Sequence, residues 1–151
     1  MTKELLYTDV AKAIAGAVPN SIAESTDKLT LVKSENLLDV ARFLKDAPGL
    51  EFDFLVSISA VDFIDYFEIV YHLLSMKHNH STVIKVRAYS RDYPAVSSVI
   101  GVWQGADFQE REIYDLMGVV FTQHPNLKRI MLWEGFEGYP LRRDYIVKTP
   151  S

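Results

Sequence analysis

The fold of this chain is organised around the stretch at residues 110–118, which reads EREIYDLMG. On a helix, at about 100° per residue, one face is apolar apart from Glu110, and its members are Trp103, Ala106, Glu110, Ile113, Tyr114 and Met117. Because an unpaired buried carboxylate costs several kcal/mol, Glu110 must be paired or hydrogen-bonded. Gly118 suits the left-handed conformation that ends many helices. These residues therefore predict a helix that ends at Gly118 and carries one buried, partnered carboxylate.

The neighbouring charges offer one local way to satisfy Glu110. Asp107, followed three residues later by Glu110, resembles a capping box, in which the glutamate bonds back to the start of its own helix. Asp107, Arg111 and Asp115 also form an i, i+4, i+8 ladder, and exposed pairs of this kind contribute about 0.2–0.5 kcal/mol each. Glu112 points nearly opposite Glu110, so these two carboxylates cannot form a paired acid–base site.

Apolar periodicity predicts the elements that precede this helix. Helical spacing favours one helix over residues 4–17 and a second that begins near Ser34 and stops at Pro48-Gly49. Residues 21–33 are typical of two short strands. Strict alternation of apolar residues favours three longer strands, at residues 52–60, 67–73 and 81–89. Because their connections are short, these strands predict an antiparallel meander.

The apolar residues at 96–103, between the meander and the Glu110 helix, also recur at helical spacing. Gly101 and Gly105 each cost about 1 kcal/mol inside a helix. Two interpretations stay open: the glycines allow close approach to another backbone, or the helix breaks there and restarts at Asp107. The order of helix, strands, helix, three strands and helix indicates an α+β fold, with an antiparallel or mixed sheet on which the helices pack.

Composition narrows the class of protein. The chain has 151 residues, a net charge of −4 and no cysteine, which suits one domain with its own core. A nucleic-acid binder would be more basic, so we expect no nucleic-acid partner. Without cysteine there is no disulfide, thiolate nucleophile or cysteine-ligated cluster. No apolar run approaches the ~18–20 residues of a membrane span, and the N-terminus lacks a signal-peptide pattern, so we expect membrane association only through a partner.

Residues 119–151 differ in character from everything before them. Proline, glycine and aromatic residues are frequent there, and periodicity is weak. Such a segment is too apolar for a solvated tail, and aromatic and arginine side chains are typical anchors of protein interfaces. We therefore predict a globular domain at residues 1–118 and an extended, partner-binding C-terminal arm at residues 119–151. The alternative is an arm that folds back on its own domain.

The run EREIYDLMGVVFTQHPNLKRIML, followed by Trp133 and then by GYPLRRDY, resembles the signature of one family. That family is the C-type (30-kDa) subunit of respiratory complex I, the proton-pumping NADH:quinone oxidoreductase, with relatives in plastid NDH and membrane-bound hydrogenase complexes. The motif covers about the last third of the chain. One departure is Ile146, which follows Tyr145 where the family often has proline.

The resemblance implies a scaffold subunit of the hydrophilic arm of complex I, without a redox cofactor of its own. FMN, iron–sulfur clusters and quinone would belong to partner subunits. Those partners would be the large quinone-site (49-kDa-type) subunit, the small iron–sulfur subunit and other complex I subunits. The location implied is peripheral, on the cytoplasmic face of the cell membrane. Because the same family serves ferredoxin-driven and hydrogenase-linked complexes, the electron donor stays open.

The sequence lacks a glycine-rich phosphate loop, a nucleophile elbow and a zinc helix motif. We therefore predict no catalytic, cofactor-binding or metal-binding residue in this chain. The residues expected at a partner interface are Glu110, Arg111, Glu112, Asp115, His124, Arg129, Trp133, Arg142, Arg143 and Asp144. A competing hypothesis is a stand-alone enzyme that uses Glu110, Asp115 and His124 as an acid–base or metal set, which requires these groups to converge on one cleft.

Overall fold

The computed structural model describes residues 1–147. Within that range the chain forms three α-helices and eight strands. The helices are α1 (Tyr7–Ala17), α2 (Leu37–Asp46) and α3 (Ala106–Met117). The strands are β1 (Lys3–Glu4), β2 (Ile22–Ser25), β3 (Thr30–Val32), β4 (Phe54–Asp62), β5 (Phe67–Ser75), β6 (His80–Ala88), β7 (Ala95–Ser97) and β8 (Val120–Thr122).

Six of these strands form one mixed sheet with the order β2-β3-β6-β5-β4, to which β1 adds in parallel beside β6. The centre is the antiparallel meander β4-β5-β6, in which Ile58 pairs with Tyr71 and Tyr71 with Ile84. β3 joins the other side of β6 in parallel. The predicted α+β fold with an antiparallel or mixed sheet is confirmed.

The core lies on one face of the sheet, because alternate residues of the strands turn their side chains to the same side. Tyr71, Ile69 and Ile84 are fully buried there against the apolar faces of α1 and α2, which supply Ile14 and Leu44. On the opposite face, several side chains of the meander remain exposed, among them Phe54, Val61 and His72. One face of the meander is therefore still open to solvent.

The helix predicted at residues 96–103 is wrong. Residues 95–97 form β7, which pairs in parallel with β8, and residues 100–105 turn back toward α3. Val99 and Trp103 are buried as the spacing predicts, and the Trp103 Nε1–H donates to the Phe52 carbonyl at 2.8 Å. The apolar spacing thus correctly predicted which side chains are buried. The backbone of residues 95–97 pairs instead with β8, which is distant in sequence. α3 starts at Ala106, close to the predicted restart.

The N-terminal helix also differs from its predicted bounds. Lys3 and Glu4 form β1 beside β6, and α1 begins only at Tyr7. Because the backbone groups of these first residues pair with the sheet, they are not available for a first helical turn.

Beyond β8, residues 123–147 contain turns but neither helix nor strand. They lie against residues 1–118 at several points, through bonds that start from α3 and from the end of β4. The arm is thus attached to the domain of the same chain. Its role as a separate partner-binding unit stays a prediction.

Candidate partner-binding site

Glu110 is fully buried, and both of its carboxylate oxygens have partners. The Ser98 hydroxyl donates to Oε1 at 2.6 Å, and the Val99 N–H donates to Oε2 at 2.9 Å. Burial raises the pKa of Glu110 to about 7, although these two hydrogen bonds oppose the rise. The carboxylate therefore fixes the segment that follows β7 against α3.

The capping-box prediction for Glu110 is wrong. α3 begins at Ala106, so Asp107 is the second helical residue and not the N-cap, and no side chain caps this end of the helix. The requirement for a partner is nevertheless met, because Ser98 and Val99 supply the donors.

The Asp115 side chain binds backbone N–H groups of the arm. It is fully buried, and its Oδ2 accepts the N–H groups of Ile130, Met131 and Leu132 at 3.2, 2.8 and 3.0 Å. The Arg129 Nε lies 3.4 Å from the other oxygen. Three successive amides converging on one anionic oxygen form charge-assisted bonds, which are about twice as strong as neutral ones. A single carboxylate of α3 thus sets the path of the arm over three residues.

The expected exposed ladder of Asp107, Arg111 and Asp115 is also wrong. Arg111 is buried and Asp115 is fully buried. The Arg111 Nε donates to the Lys128 carbonyl at 3.4 Å. These side chains therefore contact the arm, where burial makes their hydrogen bonds matter more than those of a solvated ladder.

His124 joins the start of the arm to the start of α3. Its side chain is fully buried, with Nε2 at 3.0 Å from Asp107 Oδ1. The Asn126 N–H donates to Nδ1 at 3.0 Å, so Nδ1 acts as an acceptor. In a neutral ring the proton is then on Nε2, facing Asp107. The His124 side chain therefore links the arm to α3 within the same chain.

The C-terminal end of α3 is covered by Arg142. Its Nε donates to the Met117 carbonyl at 2.6 Å, and its Nη1 donates to the Arg91 carbonyl at 3.0 Å. A cation here meets the negative end of the helix dipole. Gly118 is left-handed, at φ +75°, and a Cβ on it would lie 2.6 Å from the Tyr139 ring. The glycine therefore permits both the helix end and the close approach of the arm.

Asp62, the last residue of β4, is a functional candidate that sequence reasoning missed. Its Oδ1 and Oδ2 accept from the Arg91 guanidinium at 2.8 and 2.9 Å, and Oδ2 also accepts the Arg143 N–H at 2.9 Å. The Arg91 hydrogen bonds, more than any other contact, hold the pKa of this buried carboxyl far below its ordinary range. The sequence feature that could have identified Asp62 is an acidic residue at an inward-facing position of an alternating strand.

The aromatic part of the arm is arranged around Arg129. Its Nη2 donates to the Gly138 carbonyl at 2.6 Å, and its guanidinium lies over the rings of Phe136 and Tyr139 at 5.4 and 5.0 Å. The Trp133 ring meets Phe136 edge-on at a centroid distance of 4.8 Å. Arg129 thus orders a set of aromatic rings outside the helices and strands, of which Tyr139 also contacts the Tyr114 ring of α3 at a centroid distance of 6.2 Å.

Of the ten predicted interface residues, Arg111 is buried and Arg129 and Arg142 are partly buried, and the other seven fall into two groups. The side chains of Glu110, Asp115 and His124 are inside the chain, whereas those of Glu112, Trp133, Arg143 and Asp144 are exposed. Asp144 pairs with Arg91 at 3.1 Å. The buried groups do not converge on one cleft, because each bonds a different segment. In residues 1–147 we find no group of three or more histidine, cysteine or acidic residues placed to bind a metal.

Two comparisons establish the family. A family model described as respiratory-chain NADH dehydrogenase, 30 Kd subunit, matches residues 30–151. This chain belongs to that family. The C-type subunit of the NADH-quinone oxidoreductase of Roseiflexus sp. (strain RS-1) is 40% identical over 142 residues, covering 89% of this chain and 81% of the relative. A C-type subunit of the same oxidoreductase in Rhizobium meliloti (strain 1021), numbered 2 in its name, is 43% identical over 141 residues, with 91% and 76% covered.

A solved structure shares the fold of this 30 Kd subunit family member. It is a chain of the membrane-bound sulfane sulfur reductase, an archaeal respiratory membrane complex, with a TM-score of 0.74 and 22% identity. The alignment covers 92% of this chain and 85% of that one. Among residues 1–147, no helix combines the length and the apolar character needed to cross a bilayer.

The outer surface of the arm in this family member carries large apolar side chains among charged ones. Large apolar side chains are exposed along it, namely Met131, Trp133, Leu141, Ile146 and Val147. An open groove of about 840 Å³ lies beside Trp133, and its lining combines four aromatic residues with Arg142, two acidic residues, two glycines and two aliphatic residues. Exposed apolar patches are a general feature of interaction surfaces and ligand grooves.

Proposed function

We propose that this chain is a non-catalytic structural subunit of a complex I-type, proton-translocating NADH:quinone oxidoreductase, where it scaffolds the quinone-site subunit. The observation that carries the proposal is the arm. Its backbone is held by the Asp115 and Asp62 carboxylates, and its Arg142 side chain bonds to the Met117 carbonyl. Several of its large apolar side chains beyond β8, Trp133 among them, are exposed. A segment held in this way presents a preformed apolar surface, so little conformational entropy is lost on binding.

The chemistry of that surface fits a protein partner. Trp133, Tyr139 and Tyr145 line or flank the groove, and Arg142 and Arg143 stand beside it. Aromatic and arginine side chains are enriched at the energetically dominant positions of interfaces. The exposed carboxylate of Glu112 adds a site for a basic group of the partner. Glu110 and Asp115 take part indirectly, by fixing the segments that carry the contact residues.

The electron-transfer steps then belong to other subunits. FMN, iron–sulfur clusters and quinone are held by partners, among them the large 49-kDa-type subunit and the small iron–sulfur subunit. The chain sits peripherally on the cytoplasmic face of the cell membrane and reaches the membrane through the complex. The names of the relatives favour NADH as the electron donor of the complex. Flavoprotein genes beside this one would support that donor, whereas nickel-hydrogenase genes would support the alternative machine.

The test replaces Trp133 in a strain whose own copy of the gene is deleted. Trp133→Ala leaves the fold intact and lowers the amount of tagged chain recovered with NADH:quinone reductase activity, by at least about tenfold for a dominant contact of 2 kcal/mol or more. Leu6→Ala is the matched control, because Leu6 is 68% exposed and Trp133 69% exposed. Recovery of the unaltered tagged chain as a monomer, without reductase activity, would contradict the proposal.

A further inference from the structure

The turn between β4 and β5 has a strained backbone at a β-branched residue. Ile64 has φ +74°, in the left-handed region, where a β-branched side chain is an outlier. The Asp65 N–H donates to the Phe63 carbonyl at 2.9 Å, which closes a three-residue γ-turn centred on Ile64. The form of this turn with positive φ is rare and strained. Glycine or asparagine would adopt the same backbone at a lower cost.

The strain is held by bonds on both sides of Ile64. Asp62 Oδ1 accepts the Ile64 N–H at 2.8 Å, and the Arg91 Nη1 donates to the Ile64 carbonyl at 2.9 Å. Arg91 and Asp62 are joined to each other by a two-pronged ion pair. Backbone strain persists only where the surroundings over-determine it, and it clusters at sites of function.

The side chains that this turn displays do not contribute to the core. Phe63 is 45% exposed and Ile64 is 56% exposed. Phe63 touches the Tyr66 ring at a centroid distance of 5.3 Å, yet nearly half of it stays in contact with water. After folding, two large apolar side chains therefore remain exposed to solvent on this turn, and the left-handed backbone disfavours one of the two, Ile64. Burial against another protein would recover the hydrophobic free energy that folding does not.

The same carboxylate ties this turn to the arm. Asp62 Oδ2 accepts the Arg143 N–H at 2.9 Å, and Arg91 also pairs with Asp144 at 3.1 Å. The next residues along the arm include Ile146 and Val147, both strongly exposed. The Arg143 side chain is exposed and has no hydrogen-bond or ion-pair partner among residues 1–147. The turn and the arm are thus joined through Asp62 and Arg91, and together they display two apolar parts and one unpaired cation.

We propose that Phe63 and Ile64 form a second contact with the partner subunit that receives the arm, by entering an apolar pocket that has a carboxylate placed to pair with Arg143. The inference rests on the proposed function and adds to it a residue pair outside the arm. Asp62 then serves as the common support of both contacts. The strain at Ile64 holds an apolar side chain outward where a relaxed turn would present glycine or asparagine.

The first test uses the opposite effects that Ile64→Gly has on stability and on assembly. In the purified full chain the variant relieves the left-handed strain, so the thermal midpoint rises by about 2–4 °C. In cells that also express the unaltered, untagged chain, its share of the assembled complex falls about fivefold. Asn20→Gly is the matched control, since Asn20 is also exposed and left-handed, and its share stays unchanged. A purely structural turn would give a more stable chain with full incorporation, which would overturn the inference.

The second test places the photo-crosslinking residue benzoylphenylalanine at Phe63 or at Trp133 of the chain in the assembled complex. Crosslinks from both positions to the same partner subunit are the expected result. Crosslinks from Trp133 to a partner, with those from Phe63 confined to this chain, would overturn the inference and leave the proposed function standing. If the unaltered chain does not enter the complex at all, both are overturned.

Discussion

The meander β4-β5-β6 and the arm at residues 119–147 differ in how their backbone groups are hydrogen-bonded and in where their apolar side chains point. In the meander, backbone groups bond to neighbouring strands and one face of apolar side chains points inward. In the arm beyond β8, four backbone N–H groups bond to two carboxylates of the domain, and several large apolar side chains are exposed. The meander therefore contributes its apolar side chains to the shared core, whereas much of the arm leaves them exposed.

This difference concentrates the stability of the arm in few residues. A strand ladder spreads its hydrogen bonds over many residues, and the loss of one side chain leaves the others in place. The arm depends on single carboxylates, because Asp115 alone accepts three of its amides. We therefore expect substitutions of these anchors to release the arm while the meander stays folded.

The largest effect is expected for Asp115→Ala. The substitution removes the shared acceptor of three amides and leaves Arg129 without its carboxylate neighbour. Hydrogen bonds to a charged group contribute about 1.5–3 kcal/mol each, and solvation of the freed amides offsets part of the loss. We expect the opening free energy of the arm to fall by about 4 kcal/mol. Amide hydrogen exchange at residues 130–132 measures it.

Glu112→Ala is the control for that measurement. Glu112 lies on the same helix but is exposed, so its removal should change stability by no more than about 0.5 kcal/mol. If Asp115→Ala lowered protection in the meander as much as in the arm, the contrast between the two regions would be lost.

The meander could be predicted from the sequence because its information is local. Strict alternation in three consecutive strands with short connections leaves few other pairings. The region at 96–103 could not be predicted in the same way, since its partner strand β8 lies more than twenty residues further along the chain. Its apolar spacing correctly indicated that Val99 and Trp103 are buried, but burial alone does not distinguish a helix from a strand followed by turns.

The candidate site shows the same limit. The cost of an unpaired buried carboxylate predicted that Glu110 has a hydrogen-bond partner. The structure shows that Ser98 and Val99 are the donors, which nothing in the sequence of α3 indicated. Asp62 was not among the predicted site residues, although continuing the alternation of Ile58 and Ala60 puts it on the same face of the sheet. A buried acid at a strand end needs donors, and those come from Arg91 and the arm. The type of residue and its position in the strand or helix pattern therefore indicate that a carboxylate is buried and hydrogen-bonded. Only the folded structure shows which groups donate to it.

The second prediction concerns the pH dependence that Glu110 confers. Its pKa is raised from an ordinary value of about 4.5 to about 7 in the folded chain. Below pH 4.5 both states hold the proton. Between pH 4.5 and 7 the unfolded chain loses it first, so the free energy of unfolding falls as pH rises, by about 3 kcal/mol in all. Above pH 7 the contribution is constant.

Glu110→Gln isolates that contribution, because glutamine keeps one acceptor and one donor but does not titrate. We expect the difference in unfolding free energy between the unaltered chain and the variant to change over pH 4.5–7, in favour of the variant at the upper end. Denaturant titrations at several pH values measure it. A difference that does not change with pH would show that the carboxylate is not buried as described.

The smallest effect is expected for Gly118→Ala, which tests the junction between the two regions. The left-handed conformation costs an alanine about 1 kcal/mol, and the added methyl group would collide with the Tyr139 ring, 2.6 Å away. We expect a loss of about 2 kcal/mol in unfolding free energy, with faster proteolysis near residues 139–142 as the arm moves off the helix end. Gly16→Ala is the matched control. Gly16 is inside α1 with open space around it, so alanine there should stabilise the chain by about 0.5–1 kcal/mol. A loss at Gly118 no larger than the about 1 kcal/mol of the left-handed conformation itself would mean that the arm does not rest on the end of α3.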